Sequence, residues 1–402
     1  MSHWKEYKLG EIAELRKEGF MPNSDMVFPY IGLEHIEPES LSLNGIGQSS
    51  DVTSQKFKFY PNDVLYGKLR PYFKKVYSPN FEGVCSTDIY VVKAKNGVNS
   101  KYLFYLFATD EFTQLANSGS TGTRMPRADW KHLSETLWNI PDLPTQTAIA
   151  SILSSLDEKI ELNNAINRNL EALAQALFKQ WFVEFNFPVD DHGNFSPLSG
   201  EMSEGQRGYK DSGGELVERE LGMMPKGWRV EKLNEVIEVK YGKDHKHLED
   251  GDIPVYGSGG IMRYANKALY DKQSILIPRK GTLSNMFFIN EPFWSVDTMF
   301  YTIIKTDYYS KYLFYTLKSF DLASMNVGSA VPSMTTKVLN DLNIIIPSDN
   351  IVRKFDEAIN PIFDNKDAII KENQSISTLR NTLLPKLISG ELEVKGINTV
   401  SV

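Results

Sequence analysis

Apolar residues recur at seven-residue intervals along two long segments of the chain. The first series consists of Ile149, Leu156, Asn163, Leu170 and Leu177, with Ile152, Ile166 and Leu173 placed three residues further on. The second series consists of Phe355, Ile362, Ile369, Ile376 and Leu383. This heptad spacing predicts two helices that pack along one face as a coiled coil, each about 38 residues or ~57 Å long.

Three residues interrupt the apolar pattern of these predicted helices. Asn163 occupies a seam position, where a polar residue fixes the register of a coiled coil at some cost in stability. Pro361 and Pro385 fall inside the second helix. Because proline removes a backbone hydrogen bond and clashes with the preceding turn, we expect a kink or an early ending there.

The apolar stripe of the first helix is wider than a seam between two helices requires. The residues that widen it are Leu153, Ile160, Phe178, Trp181 and Phe182. Excess apolar width favours a further helix from a partner protein, and packing of the two helices on each other alone is the simpler alternative. The candidate partner-binding residues are Leu156, Ile160, Leu170, Leu173, Leu177, Phe178, Trp181, Phe182, Ile362, Ile369, Ile376, Leu379 and Leu383.

The segments that precede the two helices match each other in several places. In chain order, the matches are residues 4–9 with 228–233, 86–88 with 295–297, 100–105 with 310–315, and 140–141 with 346–347. The third match is identical at every position. Several matches in one order are difficult to attribute to chance, so the sequence predicts two copies of one unit.

Short runs of β-branched and aromatic residues indicate mixed secondary structure within each copy. They predict strands at 89–94, 274–278, 287–289 and 300–305, and short helices at 102–107 and 312–317. We therefore predict an α+β protein in which two mixed α/β domains are separated by two long antiparallel helices, with a pseudo-two-fold internal repeat. The predicted divisions are 1–143 (first domain), 144–186 (first long helix), 187–226 (acidic, glycine-rich linker), 227–347 (second domain) and 348–392 (second long helix and tail).

Composition agrees with a globular protein of more than one domain. The chain has 402 residues, of which 41% are hydrophobic and 24% are charged. No apolar run approaches the ~20 residues that a membrane span requires, and the first residues lack the apolar core of a signal peptide. The single cysteine, Cys85, suits a reducing compartment, so we expect a cytoplasmic protein.

The net charge of −7 hides an uneven distribution of charge. Acidic residues are concentrated in the predicted linker, whereas residues 56–75 carry six lysines or arginines against one aspartate. Because the local field steers a polyanion more than the net charge does, the overall acidity does not exclude binding to nucleic acid.

Two kinds of polar loop carry the candidate DNA-contacting residues. One kind follows a predicted strand, at 68–75 and 279–285, and the other lies at 119–127 and 328–337. Arginine can bind guanine through two hydrogen bonds, and Lys, Ser, Thr and Asn suit phosphates or base edges, although any single residue could simply be hydrated. The candidates are Lys68, Arg70, Lys74, Lys75, Thr121, Thr123, Arg124, Arg127, Arg279, Lys280, Ser284, Asn285, Ser333, Thr335, Thr336 and Lys337.

The order domain, helix, domain, helix has a geometric consequence. If the two helices pack antiparallel, the two domains lie at opposite ends and are related by an approximate two-fold axis. A two-fold protein meets duplex DNA at half-sites ~34–36 Å apart or a multiple of that distance. Because the two domains differ in most of their residues, the sequence predicts a bipartite and asymmetric DNA reader.

Motifs for catalysis are mostly absent from the sequence. The chain has no GxxxxGK[ST] phosphate loop, and His245 and His247 have no third ligand at a useful spacing. Asp142, Asp157 and Lys159 match the spacing of a nuclease motif, but the last two fall on the polar face of a predicted helix. We therefore predict a protein that is not an enzyme and has no catalytic residues and no metal site.

Six stretches of the sequence are similar to those of one protein family. They are residues 143–146, 149–153, 156–160, 177–185, 225–228 and 382–391. On these residues the chain resembles the DNA specificity (S) subunit of type I restriction–modification systems. It departs from the family at Thr145, where many members have an acidic residue, and more strongly at residues 347–350.

The resemblance implies two target recognition domains, each reading one half of a split DNA sequence, with the long helices as a spacer. The helices would dock two copies of a methylation (M) subunit, which would carry S-adenosylmethionine and methylate adenine. A restriction (R) subunit would join through that complex and supply cleavage that depends on ATP and Mg. The chain itself would bind double-stranded DNA, no membrane and no cofactor.

Two other functions remain open at this point. A repeat-built scaffold that binds only proteins would explain the helices without any use for the basic loops. A metal-dependent nuclease would depend on Asp142, Asp157 and Lys159.

Overall fold

The computed structural model of the chain describes residues 4–23, 25–120, 122, 124–189, 207–281, 283–322, 324–325 and 333–394. Over these residues the chain is a mixed α/β protein, and its contacts divide it into two units. Unit 1 comprises residues 1–165 and 369–402, and unit 2 comprises residues 166–368. Both long helices therefore contribute residues to both units.

In its described residues, unit 1 contains three small sheets and several short helices. Its strands are β1 (Lys5–Lys8), β2 (Ala13–Leu15), β3 (Gly19–Phe20), β4 (Pro29–Ile31), β5 (Gly47–Gln48), β6 (Lys56–Phe59), β7 (Val64–Gly67), β8 (Val76–Tyr77), β9 (Gly83–Cys85), β10 (Ile89–Ala94) and β11 (Leu137–Ile140). Its helices are α1 (Leu9–Ile12), α2 (Ser100–Phe107), α3 (Asp110–Ser118), α4 (Trp130–Ser134) and the first part of α5 (Leu143–Phe178). The sheets are β1-β11, β2-β10-β7-β8 and β3-β6-β9-β4-β5.

Helix α2 joins the sheets of unit 1 to its long helical segments. Its residues from Tyr102 to Phe107 are all buried, which requires neighbours on every side of the helix. On one side Phe107 packs against Tyr66 of β7, with ring centroids 5.9 Å apart. The same apolar cluster includes Ile149 and Leu153 of α5. The long helices are thus part of the core of unit 1.

Unit 2 has a comparable set of elements. Its strands are β12 (Pro188–Val189), β13 (Arg207–Gly208), β14 (Leu216–Arg219), β15 (Gly222–Pro225), β16 (Arg229–Lys232), β17 (Ile237–Tyr241), β18 (Ile253–Gly257), β19 (Gly260–Ala265), β20 (Ser274–Pro278), β21 (Phe287–Ile289), β22 (Trp294–Ser295), β23 (Met299–Ile304) and β24 (Asn343–Ile346). The end of α5 continues into a π-helical turn (Lys179–Val183), and the other helices are α6 (Ser310–Lys318), α7 (Thr336–Asn340) and the first part of α8 (Asp349–Ile388). The sheets are β12-β13, β14-β15, β16-β24, β17-β23-β20-β21 and β19-β18-β22.

The core of unit 2 is built around aromatic side chains from the π-helical turn. Phe182 lies 4.6 Å from Tyr312 of α6 and 4.8 Å from Phe355 of α8, measured between ring centroids. Trp181 also packs on Phe355, at 5.7 Å. Trp181 is 1% exposed, and burial of aromatic rings contributes a large share of core stability. This cluster joins α5, α6 and α8 within unit 2.

Within each unit, the segments of α5 and α8 run antiparallel. In unit 1, Asp157 contacts Arg380 and Asn163 contacts Asn373, so the residue numbers rise on one helix and fall on the other. In the described part of the chain, neither of these helices nor any other is long and apolar enough to cross a membrane.

The buried stripe of α5 differs from the predicted heptad seam. Ile166 is 37% exposed and Leu173 is 55% exposed, although both were assigned to the seam. Leu153 and Ala174, which lie outside the predicted seam, are fully buried instead. A helix with 3.6 residues per turn drifts against a strict seven-residue repeat, so the buried face moves to other heptad positions along the helix.

Helix α8 continues through both of its internal prolines, so of the two expectations, a kink or an early ending, the early ending is wrong. Pro361 and Pro385 lie within the single helix of 40 residues. Both prolines face solvent, where water can bind the carbonyl groups that lose their helical partners. Ile359 and Leu387 are buried close to the two prolines and hold the helix on the core.

The predicted linker at 187–226 contains regular structure in its described residues. Its first and middle parts form the two-stranded sheet β12-β13, and its last part forms the hairpin β14-β15. Phe187 packs in parallel against Trp228, with ring centroids 5.8 Å apart. This part of the chain is therefore attached to the core of unit 2.

Candidate nucleic-acid interface

In unit 1, backbone hydrogen bonds bring the two candidate loops together directly after β7. The Lys68 amide donates to the Asp88 carbonyl at 2.9 Å, and the Lys68 carbonyl accepts from the Ala128 amide at 2.9 Å. The Arg70 amide donates to the Pro126 carbonyl at 2.7 Å. Residues 68–75 and 119–127 are called the unit 1 loop pair below. Thr121 and Thr123 lie outside the described residues.

Unit 2 holds its two candidate loops with the same pattern of hydrogen bonds. The Arg279 amide, directly after β20, donates to the Thr298 carbonyl at 2.8 Å. The Arg279 carbonyl accepts from the Met334 amide at 2.9 Å, and Lys280 forms a β-bridge with Ser333. Residues 279–285 and 333–337 are called the unit 2 loop pair. The earlier part of the second loop, residues 328–332, lies outside the described residues.

The basic side chains of the unit 1 loop pair fall into two groups. Arg124 is exposed, Arg127 lies 3.1 Å from the Asp88 carboxylate, and the Lys68 ammonium lies 5.2 Å from the centre of the Tyr90 ring. Arg70 is partly buried, and its Nε has no hydrogen-bond partner among the residues that the structure describes. This first group leaves positive charge at the surface of the loop pair.

The second group, Lys74 and Lys75, is bound by other parts of unit 1. The Lys74 ammonium lies 2.6 Å from the Asp110 carboxylate, and its side chain is 18% exposed. The Lys75 ammonium donates to the Leu33 carbonyl at 2.5 Å. These two lysines fix the loop to its surroundings, and their assignment as DNA contacts stays a prediction.

The unit 2 loop pair presents a different set of side chains. The Arg279 guanidinium lies 5.2 Å from the centre of the Tyr241 ring and donates to the Asp297 carbonyl at 3.2 Å. The Asn285 amide donates to the Ser258 carbonyl at 2.7 Å. The exposed candidates are Lys280, Ser284, Thr335 and Lys337, whereas Ser333 and Thr336 are partly buried.

Two residues of unit 2 that shape this loop pair had no signal in the sequence. Tyr241 ends β17 and supports Arg279, and Ser258 follows β18 and accepts from Asn285. Both come from strands that are distant in sequence, and neither is charged. Only the fold places them beside the candidate residues.

The candidate partner-binding residues on the long helices differ widely in exposure. Phe178, Trp181 and Phe182 are buried in the core of unit 2, so this chain's own side chains cover the apolar width that was attributed there to a partner helix. Ile362 is also buried. Leu173 and Leu379 are the exposed members, at 55% and 49%. The partly buried members are Leu156, Ile160, Leu170, Leu177, Ile369, Ile376 and Leu383.

A buried ionic network joins the long helices of unit 1 to its α/β part. Arg380 is 2% exposed, and its Nη1 donates to the Asp157 carboxylate at 2.7 Å and to the Ser40 carbonyl at 3.2 Å. The Tyr105 hydroxyl donates to the other oxygen of Asp157 at 2.6 Å. Burial and the neighbouring Asp157 carboxylate raise the pKa of Tyr105, so this hydroxyl remains a donor.

Unit 2 contains a separate ionic cluster around Glu171 of α5. Its carboxylate contacts the Lys366 ammonium, lies 3.1 Å from Lys318 and accepts from the Tyr315 hydroxyl at 3.2 Å. Burial alone would raise the pKa of Glu171, but hydrogen bonds from Lys366 and Gln175 and the charges of both lysines lower it to about 2. The carboxylate is therefore ionised at neutral pH.

The residues of the nuclease motif do not come together. Asp142 lies at the start of α5, where its carboxylate accepts from the Thr145 amide at 3.0 Å. Asp157 lies on α5, fifteen residues after Asp142, which corresponds to a rise of about 22 Å. Asp157 is paired with Arg380, and Lys159 donates to Asn163 at 2.9 Å. Carboxylates this far apart cannot share a metal ion.

Known proteins provide an independent comparison. The model of the type I restriction modification DNA specificity domain matches residues 1–172 and 225–380. The specificity subunit of the type I restriction enzyme HindI from Haemophilus influenzae is 27% identical, over 98% of this chain and 100% of its own length. The MjaIX specificity subunit from Methanocaldococcus jannaschii is 28% identical, over 75% of this chain and 71% of its own length.

A solved structure has the same fold. The type I restriction–modification S subunit from M. genitalium covers 96% of both chains with a TM-score of 0.54 at 16% identity. With the family model matched over most of the length, the chain belongs to the family of type I restriction–modification DNA specificity subunits.

Proposed function

We propose that this chain reads a bipartite, asymmetric DNA target, one half with each loop pair, and has no catalytic activity of its own. The observation that carries the proposal is that both units hold two polar loops by the same hydrogen bonds. These bonds link Lys68 to Ala128 in unit 1 and Arg279 to Met334 in unit 2. The two matches to one family model, at 1–172 and 225–380, also support a two-copy organisation.

The side chains of the two loop pairs support recognition of two different half-sites. Unit 1 offers the arginines Arg70, Arg124 and Arg127, which suit guanine and phosphate. Unit 2 offers Arg279 and Lys280 together with the hydroxyl and amide groups of its loops. Different donors and acceptors on a shared backbone frame favour different base sequences in the two halves.

The long helices serve, in this proposal, as a coiled-coil spacer and as the docking surface for two methylation subunits. Their antiparallel packing inside each unit and the exposed Leu173 and Leu379 support that role. S-adenosylmethionine would be bound by the methylation subunits, and ATP and Mg would be used by a restriction subunit. The complex would act on chromosomal DNA in the cytoplasm.

Removing positive charge from the loop pairs is expected to weaken DNA binding by the assembled complex. The substitutions are Arg70→Gln, Arg124→Gln, Arg279→Gln and Lys337→Gln, which keep most of the side-chain length. Loss of an arginine that contacts a base is expected to weaken the binding free energy by ~1–3 kcal/mol. Loss of a phosphate contact is expected to reduce the slope of log K against log salt concentration by about 0.9. Binding to duplex DNA is measured at several salt concentrations.

The matched controls are Lys17→Gln and Lys226→Gln, at exposed lysines outside both loop pairs. These controls are expected to bind DNA as the wild type does. If all four loop variants also bind with unchanged affinity and salt dependence, the loop pairs are not the DNA surface. A scaffold that binds only proteins would give that result.

Substitution of an exposed leucine on the long helices is expected to release the methylation subunit. Leu173→Glu and Leu379→Glu place a charge on the proposed docking surface while keeping a good helix former. Leu170 is less suitable because it packs against the core of unit 2. Gel filtration of the co-expressed proteins measures the stoichiometry, and Leu137→Glu, at a 56% exposed position of β11, is the control. If the variant that carries both Leu173→Glu and Leu379→Glu still forms an intact complex, the methylation subunit docks on another surface.

A further inference from the structure

The unit 1 loop pair carries an exposed pair of aromatic rings that its basic residues do not explain. Tyr72 is 49% exposed and Phe73 is 41% exposed. Their ring centroids are 4.8 Å apart, so the two rings form one apolar surface. Single exposed apolar residues are common, but two adjacent aromatic rings at the centre of a basic loop indicate a contact with another molecule.

The backbone holds these two rings in a fixed position. Arg70 and Lys74 both have left-handed backbone conformations, with φ of 52° and 48°, and they enclose the turn Pro71–Phe73. The turn is closed by two hydrogen bonds, from the Phe73 amide to the Arg70 carbonyl at 3.0 Å and from the Lys74 amide to the Pro71 carbonyl at 2.9 Å. The loop is therefore ordered before it meets a ligand.

Further contacts anchor both ends of the turn to unit 1. The ion pair of Lys74 with Asp110 holds one end, and the hydrogen bond from the Arg70 amide to the Pro126 carbonyl holds the other. Pro71 is buried beneath the turn. Tyr72 and Phe73 are consequently the parts of the turn that remain open to solvent.

Charge identifies the kind of partner that these rings would meet. Residues 68–75 contain four lysines or arginines and no acidic residue, and of these four Lys74 is paired with Asp110 outside the loop. Arg124 and Met125, on the second loop of the pair, are also exposed. An aromatic surface surrounded by positive charge complements a polyanion that has flat apolar groups inside it, and duplex DNA has both properties.

The corresponding loop of unit 2 has no such feature. The sequence of residues 279–285 contains no aromatic residue, and its one large apolar side chain, Leu283, is 2% exposed. Asn285 at the end of this loop is bound to the Ser258 carbonyl. Of the two loops that follow β7 and β20, only the loop of unit 1 therefore carries an aromatic pair.

We propose that Tyr72 and Phe73 form an aromatic wedge that enters the half-site read by unit 1 and unstacks one base step. The proposal rests on the function proposed above and adds a distortion of the DNA to it. Apolar side chains that insert between base steps kink the duplex and let more of the protein contact it. An enzyme that modifies a base must also take that base out of the stack, so a deformed duplex suits the chemistry of a methylation complex.

The test uses the full chain in complex with its methylation subunit and a duplex that contains the motif methylated in the host. The fluorescent base 2-aminopurine replaces one base at a time through the unit 1 half-site, because its emission rises when it loses its stacked neighbours. The wild type is expected to raise the fluorescence several-fold at one step outside the target adenine. Tyr72→Ala combined with Phe73→Ala is expected to abolish that rise.

Two further variants separate the wedge from a structural role of the loop. Tyr72→Phe combined with Phe73→Tyr keeps both rings and is expected to keep the fluorescence rise. Tyr7→Ala removes an aromatic ring that is 37% exposed on β1, outside the loop pair, and is also expected to keep it. The alanine variants are expected to melt at the wild-type temperature because both rings are exposed. If the double variant melts lower, the two single alanine variants are measured, and each is expected to reduce the rise.

An equal fluorescence rise with the alanine variants, or no rise at any step in a bound wild-type complex, would overturn the wedge alone. A wild-type complex that binds the motif no more tightly than a scrambled duplex would overturn the proposed function as well. The two failures are distinguishable because binding and fluorescence are recorded in the same titration.

Discussion

Replacement of Arg380 by alanine is expected to destabilise unit 1 by about 3–5 kcal/mol. Arg380 is 2% exposed and donates to the Asp157 carboxylate and to the Ser40 carbonyl. Without the guanidinium, Asp157 keeps only the Tyr105 hydroxyl in this network, and its charge remains partly buried without a cation. Chemical denaturation of the full chain measures the loss, and hydrogen exchange of the unit 1 amides locates it.

Two comparisons make the Arg380 result interpretable. Arg168→Ala removes an exposed arginine of α5 and is expected to change stability by no more than about 0.5 kcal/mol. Arg380→Met combined with Asp157→Leu and Tyr105→Phe removes the whole network and leaves no unsatisfied partner among these three side chains. Since an apolar replacement of a buried ion pair is often neutral, this triple variant is expected to recover most of the stability. A cost below about 1 kcal/mol for Arg380→Ala would mean that water reaches this site.

Some strands could be predicted to the residue because their apolar runs are buried. The predictions for 89–94, 274–278 and 287–289 are confirmed as β10, β20 and β21. Ser274–Pro278 is buried at every position, so each residue of the apolar run contributes to the signal. The prediction for 300–305 was displaced by one residue, because β23 runs from Met299 to Ile304.

The long helices were predictable in position but not in the details of their packing. A heptad pattern finds helices, yet it does not reveal which positions a 3.6-residue helix finally buries. Arg380 is the clearest example, since it is as well buried as the apolar residues around it. Its contacts with Asp157 and Ser40, which are distant in sequence, and with the neighbouring Asn381 explain why a charged residue is tolerated there.

The sequence predicted the loops of the candidate site, but it did not predict that the two loops of each unit lie against each other. Charge and residue type identify Arg124 and Arg279, but not the hydrogen bonds that join each loop to its neighbour. Those bonds join a loop that follows a strand to a loop that comes directly before a short helix, α4 in unit 1 and α7 in unit 2, and the fold brings the two together. Tyr72 and Phe73 were not selected among the candidate residues because exposure, rather than residue type, is what makes them unusual.

Exchange of residues 1–143 for the same segment of a relative with another specificity is expected to change one half of the methylated motif. The cut suits the structure because β1 pairs with β11, from Lys5 with Ile140 to Lys8 with Leu137, and α5 begins at Leu143. The exchanged segment therefore contains a closed pair of strands and the complete unit 1 loop pair. The two long helices, apart from Leu143 at the start of α5, stay unchanged, and with them the proposed spacer.

The chimera must preserve the contacts of the exchanged segment with the long helices of unit 1. Tyr105 donates to Asp157, and Lys101 lies 3.0 Å from Glu158. The Asn99 amide donates to the Gln146 side chain at 2.8 Å. Where the donor segment lacks these residues, they are introduced at the corresponding positions. Without the Tyr105 hydroxyl, Asp157 would lose a hydrogen-bond donor, and the lower stability of the chimera would mimic a loss of function.

The adenine methylome of a host that carries the chimera and its methylation subunit is the measurement. Deletion of the gene is expected to remove the parental motif, and the chimera is expected to restore one parental half, at the same spacing, joined to a new half. The reciprocal exchange of residues 227–347, which are enclosed by the pair of β16 and β24, is expected to change the other half. A chimera that keeps the parental motif would show that the unit 1 loop pair does not select bases. A change in both halves would show that the units do not read DNA independently, because each loop pair lies wholly within one exchanged segment.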